Sequence, residues 1–322
     1  MAGNQELTKI STLHEISFTA LKLKTIDVLN KIKENPIYMD LFIKYFENKL
    51  FFSSIIEIEI ACEIKLFDHI NYLYFDSNFN DNINIVATLI NLKKLYLGRD
   101  FDQEIDELST LINLENLIFS NDFDLPIDGL STLINLKNLT FGNNFNQDIS
   151  KLSTLVNLET LSFGYYFYEE IDGLSTLVNL KNLTFGNNFN LQIDKLSTLV
   201  NLENLIFGDN FDQEINGLST LVNLEKLTFG NNFDKKIDAL STLVNLKELT
   251  FGDNFRQKTD PLLQLVNLKE LVFGGDFTQD ISAFSVLVNL KKLTLGWKYY
   301  KRPDRMEELQ SKLSGLEIYL HG

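Results

Sequence analysis

Cys62 and His69 are the two residues here best suited to covalent chemistry. A thiol becomes a nucleophile when an imidazole takes its proton, so the pair would have to converge in a pocket. Cys62 continues an alternating apolar run with Ile58 and Ile60, which fits a buried thiol beside a structural histidine better than a catalytic pair. Aspartates are plentiful, but they recur at helix-cap spacing and not as the D-x-D-x-D-G of a calcium loop. The sequence has no P-loop, dinucleotide fingerprint, G-x-S-x-G or H-E-x-x-H. Asn138-Leu139-Thr140 and Asn182-Leu183-Thr184 match the glycosylation acceptor pattern, yet they recur only because a longer unit recurs. These residues predict a protein that is not an enzyme and holds no metal or cofactor.

Composition narrows the class further. The 322 residues carry 29 basic and 44 acidic side chains, a net charge of −15. That balance argues against a nucleic-acid binder, whose affinity rests on basic residues meeting phosphates. One cysteine excludes an internal disulfide framework. The start, MAGNQELTKISTLHEISF, lacks a basic stretch followed by an apolar one. Glu57, Glu59 and Glu63 interrupt the most apolar segment, so no membrane span is predicted. Unpaired Cys62 fits a reducing interior, and the expected location is cytoplasmic.

A repeat positions everything else. Asn-Leu occurs ten times at a constant spacing of 22, from Asn91 to Asn289, and a degenerate eleventh copy begins at His69. The unit is N-L-x-x-L-x-F-G-x-x-F-x-x-x-I-x-x-L-S-T-L-V. Leu139 and Phe141 alternate with Asn138 and Thr140, which predicts a short strand. Gly142 and its equivalents follow as a backbone turn. Phe79, Phe101 and their equivalents through Phe277, with Tyr299 last, predict a buried aromatic spine. The Asp, Ser or Asn after the conserved Ile, as in Asp106 and Ser150, predicts an N-cap opening a helical turn over L-S-T-L. A fixed period of this length means a solenoid, in which each unit buries its apolar face only against its neighbours.

The run Leu152, Leu155, Leu158, Leu161, Phe163 resembles a leucine-rich repeat. The 22-residue length and the Asn-Leu step are similar to the internalin-like class, whereas LTFGNNFNQDI (139–149) looks like the FNIP repeat, a relative of that fold. The FNIP pattern wants Pro before the Ile, and Pro126 alone supplies it. The resemblance implies an α/β repeat solenoid, a right-handed superhelix with a parallel sheet on one face. It also implies protein binding through the concave sheet. FNIP proteins often carry an N-terminal F-box that docks onto a ubiquitin-ligase core; residues 1–68 lack the usual Leu-Pro start.

Three segments follow. Residues 1–68 are expected as a helical N-terminal cap or a recruitment module, with helices over 5–34 and 37–51 and a capping strand through Ile56, Ile58 and Ile60. Residues 69–300 hold eleven coils. Residues 301–322 form a C-terminal cap, with an amphipathic stretch from Met306 to Leu313 and a strand from Leu316 to Leu320, while Trp297, Tyr299 and Tyr300 are expected to seal the core. Leu21, Leu23, Ile26, Leu29 and Ile32 decide the role of 1–68: wholly buried on the first coil, they leave no docking surface.

Two surfaces are candidates for a partner. One is the outward strand column holding Asn116, Asn138, Asn182 and Asn204, whose uniformity fits either a binding face or recent duplication. Beside it, Lys93, Glu115, Lys137, Glu159, Lys181 and Glu203 alternate in sign and predict cross-strand pairs. The other is Tyr165, Tyr166 and Tyr168, which replace Asn in one coil and form either an interface anchor or packing against neighbouring loops. The caps nearly cancel in charge (8 basic against 10 acidic in 1–68, 5 against 4 in 297–322), leaving −14 on 69–296. This is either a solvated face or a field steering a basic protein partner. The expected function is a monomeric, non-catalytic protein-binding scaffold. The alternative is a substrate receptor of a ubiquitin ligase.

Overall fold

The computed structural model describes residues 25–35, 39, 51–68 and 71–321. Thirteen strands form one parallel sheet in strict chain order. After β1 (Phe51–Phe52) and β2 (Tyr72–Phe75), three-residue strands recur every 22 residues from β3 (Lys94–Tyr96) to β11 (Glu270–Val272), followed by β12 (Lys292–Gly296) and β13 (Glu317–His321). Register is constant: Leu117 lies beside Leu139, and Leu139 beside Leu161. In the three-residue strands the central Leu is buried and its neighbours are half-exposed, or exposed as at Lys226 and Glu270.

The return path of each coil is a chain of three-residue turns. Leu108, Leu111 and Leu114 donate their N–H groups to the carbonyls of Ile105, Leu108 and Leu111. A period of three brings i and i+3 to the same side, so L-x-x-L-x-x-L buries all three leucines. Asn at the Asn-Leu step ties coils together. From Asn113 to Asn289 every such Nδ2 donates to the carbonyl of the Ile or Val 23 residues earlier, as in Asn113 to Ile90 at 2.9 Å and Asn201 to Val178 at 2.8 Å. Thr132 Oγ1 does the same to Ser109 at 2.7 Å.

The aromatic spine is present and doubled. The corner phenylalanines from Phe79 to Phe277 are buried and continue into buried Tyr299, which stacks on Phe277 at 6.1 Å. The strand phenylalanines stack as a second ladder, Phe141–Phe163 at 5.6 Å beside Phe145–Phe167 at 6.3 Å. The ladder farther from the sheet has the longer step, so the solenoid bends toward its sheet and that face is concave.

Four expectations are corrected. Ile56, Ile58 and Ile60 lie on a helix, Ile55–Glu63, not a strand. A helix-start signal outweighs the alternation: Glu57, in the first turn, accepts from Ser53 N–H at 2.5 Å and Ser53 Oγ at 3.1 Å. The Asp after each Ile is not a cap. Ile105 holds that position without a side-chain cap bond, and Asp106 is already inside the turn. In three coils the oxygen comes from two residues earlier, Asn82, Asp148 and Asp280 accepting from N–H of 84, 150 and 282. Glycine after the strand is not needed for its freedom of φ, since Gly315 alone is positive among the described glycines. It is needed for space, because a Cβ at Gly208 would lie 2.4 Å from the Gly186 carbonyl oxygen. Of the aromatic C-terminal trio only Tyr299 seals the core; Trp297 and Tyr300 are more than half exposed.

At the N-terminal end, helix α1 (Thr25–Glu34) places Leu29 and Ile32 in the core beside α2 (Ile55–Glu63), and buried Phe52 sits in β1 against the first coil. The remainder of the helices expected over 5–34 and 37–51, Leu21, Leu23 and the Ile26 side chain lie outside the described residues. At the other end α3 (Pro303–Lys312) buries Leu309, and β13 pairs with β12 over five residues.

Candidate partner-binding surface

The concave face is built from the first and third residues of each strand. Asn116, Asn138, Asn182 and Asn204 fall in one half-buried column, where they bond one another. Asn138 Nδ2 donates to Asn116 Oδ1 at 2.7 Å, Asn204 Nδ2 to Asn182 Oδ1 at 2.6 Å, and Asn182 Nδ2 to Thr160 Oγ1 at 3.3 Å. Each amide thus meets part of its hydrogen-bonding capacity within the sheet. The alternating column pairs at three of its five steps: Glu115 meets Lys93 at 3.3 Å and Lys137 at 2.9 Å, and Glu159 meets Lys181 at 2.9 Å, while among the described residues Glu203 forms no ion pair. Hydrogen bonds from Lys137 and Lys93 hold Glu115 below the usual carboxylate range. Aromatics mark both ends of this face. Tyr74 stacks on Tyr96 at 4.2 Å and Lys94 lies 4.9 Å over Tyr72, while Lys292 lies 5.6 Å from Tyr319 at the far end. Burial, then the neighbouring Tyr96, pushes Tyr74 up to about 12.

The tyrosine coil sits on the rim where the chain leaves the strand. Tyr165 and Tyr166 meet edge to face at 4.8 Å, and Tyr165, Tyr166 and Tyr168 are 44%, 52% and 49% exposed. They break two ladders. Asn144 bonds Asp122 at 3.2 Å, and the column resumes with Asn210 to Asn188 at 3.2 Å, so among the described residues the rungs at 166 are missing. Side chains at 124 and 146 accept the N–H of the residue 22 places on, and the series resumes with Asn190 accepting from Asp212; among the described residues no such rung links 168 to 190. The structure does not merge the tyrosines with the concave asparagines: the two sets stand on different columns.

Two features were missed in sequence. Ile90, Ile112, Ile134 and the valines from Val156 to Val288, one per coil, are 43–67% exposed and form an apolar stripe on the opposite rim. Their signal was a β-branched residue one place past the period-three leucines. The second is a trench of roughly 600 Å³ over the glycine column. Its floor is the backbone of Gly164, Gly186, Gly208, Gly230 and Gly252, all partly exposed. Thr184, Ile206, Thr228, Thr250 and Val272 wall it on the strand side, and Tyr165, Asn187, Asp209, Asn231 and Asp253 on the corner side.

Cys62 is half-buried on α2, and burial pushes its thiol up, the opposite of an activated nucleophile. His69 lies outside the described residues. Among the described residues no cluster could hold a metal ion, and no helix is long and apolar enough to cross a membrane.

Two solved structures share this architecture. An internalin of Listeria monocytogenes superposes with a TM-score of 0.67 at 20% identity, covering 83% of this chain and 76% of its own. This is a leucine-rich repeat fold. A leucine-rich repeat protein of Leptospira interrogans superposes with a TM-score of 0.64 at 19% identity, covering 80% of this chain and 74% of its own. No protein-family model and no curated protein matches the chain. The leucine-rich repeat here departs from a plain solenoid at its rim, where one coil trades three amide positions for tyrosine.

Proposed function

We propose that this chain is a non-catalytic, cytoplasmic protein-binding scaffold of the FNIP-like leucine-rich repeat type, with Tyr165, Tyr166 and Tyr168 as its anchor. The observation that carries this reading is the cost of those residues. Tyr166 and Tyr168 give up ladder rungs that other coils keep, and all three rings are left about half exposed. Each lost hydrogen bond is worth about 0.5–1.5 kcal/mol net, and exposed tyrosines are the residue type that leads interface energetics. A coil selected for stability alone would keep asparagine. The receptor reading gains no support, because Leu29 and Ile32, the two of its five marker residues whose side chains are described, are buried.

The test is affinity capture from cytosol with the full chain beside a Tyr165→Asn, Tyr166→Asn, Tyr168→Asn variant. A protein held by the first and lost by the second supports the reading. Equal recovery by both would remove the tyrosines from the site. Recovery of ubiquitin-ligase core subunits by both would favour the receptor instead.

A further inference from the structure

The trench itself follows from coil stacking, since nothing larger than hydrogen fits between the Gly208 backbone and the coil before it. What stacking does not require is what stands along and beyond it. Tyr165 lines one end, beside Asn143 of the coil before. Past the other, the Trp297 indole lies over Gly275, where a Cβ would meet its Nε1 at 2.8 Å. On the wall between them stand two carboxylates without a cation. Asp209 accepts only amide N–H groups, from Asn187 Nδ2 at 2.9 Å and Asn231 N at 3.3 Å, and Asp253 accepts from Gly275 N at 2.9 Å. Neither forms an ion pair among the described residues, whereas Asp212 and Asp234 nearby each have one and Asp276 has two.

We infer that the trench takes an extended basic peptide segment of a protein partner, lying along the solenoid axis with cationic side chains on Asp209 and Asp253. This rests on the scaffold reading above and names its partner's chemistry. The dimensions fit. The phenylalanine ladder beneath the trench advances 5.4–5.7 Å per coil from Phe163 to Phe273, five steps or about 28 Å, which a polyproline-like segment of about nine residues spans at 3.1 Å each. From Asp209 to Asp253 is two coils, about 11 Å along the strand-side ladder (5.6 and 5.5 Å) and about 12 Å along the corner ladder (6.0 and 6.2 Å). A polyproline helix returns the same face every third residue, about 9.3 Å on, and a flexible arginine covers the difference. Aromatic residues at the ends suit proline rings, and the extended backbone is already ordered before it binds.

The experiment is fluorescence anisotropy of labelled (Pro-Pro-Arg)3 and (Pro-Pro-Glu)3 against the full chain. Saturable binding of the basic peptide alone is expected. Asp209→Asn with Asp253→Asn should weaken it at least tenfold, as should Tyr165→Asn, with circular dichroism unchanged. Asp106→Asn with Glu107→Gln removes the same charge from the helical-turn side and should change affinity less than twofold. Three results would overturn the inference: no binding, equal binding of the acidic peptide, or equal loss in the Asp106/Glu107 variant, which would assign binding to the diffuse negative field. If peptides fail while tyrosine-dependent capture of a protein persists, the trench is wrong and the scaffold stands; failure of both removes the scaffold reading as well.

Discussion

Replacing Phe189 by alanine should cut the solenoid into two independently melting halves. Its ring is fully buried, stacked on Phe185 at 4.0 Å and on Phe167 and Phe211 at 6.1 and 6.2 Å. Truncating a buried phenylalanine costs about 3–5 kcal/mol, because neighbours fill the cavity only in part. Held on both sides by coils carrying the same rings, this site has little room to collapse, which points to the upper half of that range. The comparison that matters is with the coil's own share of stability. At about 0.05–0.15 kcal/mol per residue, a 22-residue coil contributes about 1–3 kcal/mol. The loss exceeds the share, and in a solenoid each coil is stabilised only by its neighbours. The damaged coil should therefore open first and uncouple what lies on either side.

The single tryptophan makes this measurable. Trp297 reports the C-terminal coils, while far-UV circular dichroism averages over all of them. In urea the two probes should coincide for the parent chain and separate for Phe189→Ala, with Trp297 retaining a transition of its own. Phe189→Leu, which keeps much of the volume, should cost about 1–1.5 kcal/mol and leave the probes together. A loss under about 1 kcal/mol in the alanine variant would refute the packed spine. Coincident probes after a full loss would refute nearest-neighbour coupling.

Other outcomes follow from the same geometry. Gly208→Val should lower the unfolding midpoint sharply, since even its Cβ would lie 2.4–2.5 Å from the backbone of Gly186 and Asn187; an unchanged midpoint in thermal denaturation would mean the coils can spread. Glu115→Gln removes two ion pairs at the exposed edge of the sheet and should leave the midpoint unchanged within error, in low or high salt, because such pairs are worth little. Acid should loosen the C-terminal cap. Lys298 and then Arg256 hold Asp276 below its ordinary 3.8, and the Ser282 N–H with Arg305 does so for Asp280. A depressed carboxylate contributes stability that is complete above the unfolded value and lost as pH falls through the folded one. Hydrogen exchange in 297–312, corrected for intrinsic rates, should therefore quicken below about pH 4, and Asp276→Asn with Asp280→Asn should flatten that response.

The fold was legible because each buried position repeats with one chemistry. Leu202, Leu205, Phe207 and Phe211 recur in phase with their copies, as does the exposed Asn201, and a period read ten times leaves little freedom. The failures came where two local rules competed over a few residues. Ile56-Glu57-Ile58 alternates like a strand, yet Ser53 before Glu57 favours a helix start, and the Glu57 carboxylate accepting from the Ser53 N–H and hydroxyl at the first turn outweighs three alternating side chains. The Asp after each Ile has the chemistry of a cap at the mouth of a helical turn, but the period-three turn begins one residue sooner and Asp106 falls inside. The trench was invisible for a different reason. It is made by an absent side chain repeated across coils, and glycine in one sequence reads as a turn until neighbouring coils are seen to press against it.

That distinction also locates function. In a solenoid every consensus residue is accounted for by its contacts with the next copy: Asn201 by the carbonyl of Val178, Phe189 by Phe167, Gly208 by Gly186. Such residues carry no information about a partner, which is why the ordered concave amides of Asn138 and Asn204 are weaker candidates than their number suggests. Information lies where a coil departs from consensus at a cost. Ser120 stands in the glycine column and fits because its Oγ donates to Phe101 O and accepts from Phe123 N; its departure is repaid inside the fold. Tyr166 and Tyr168 are not repaid there, since their ladders stop and their rings face water. If the compensation lies in a partner, the triple Asn variant must lose that partner while remaining folded; a variant that binds as before would mean the departure compensates nothing and the coil is a tolerated irregularity.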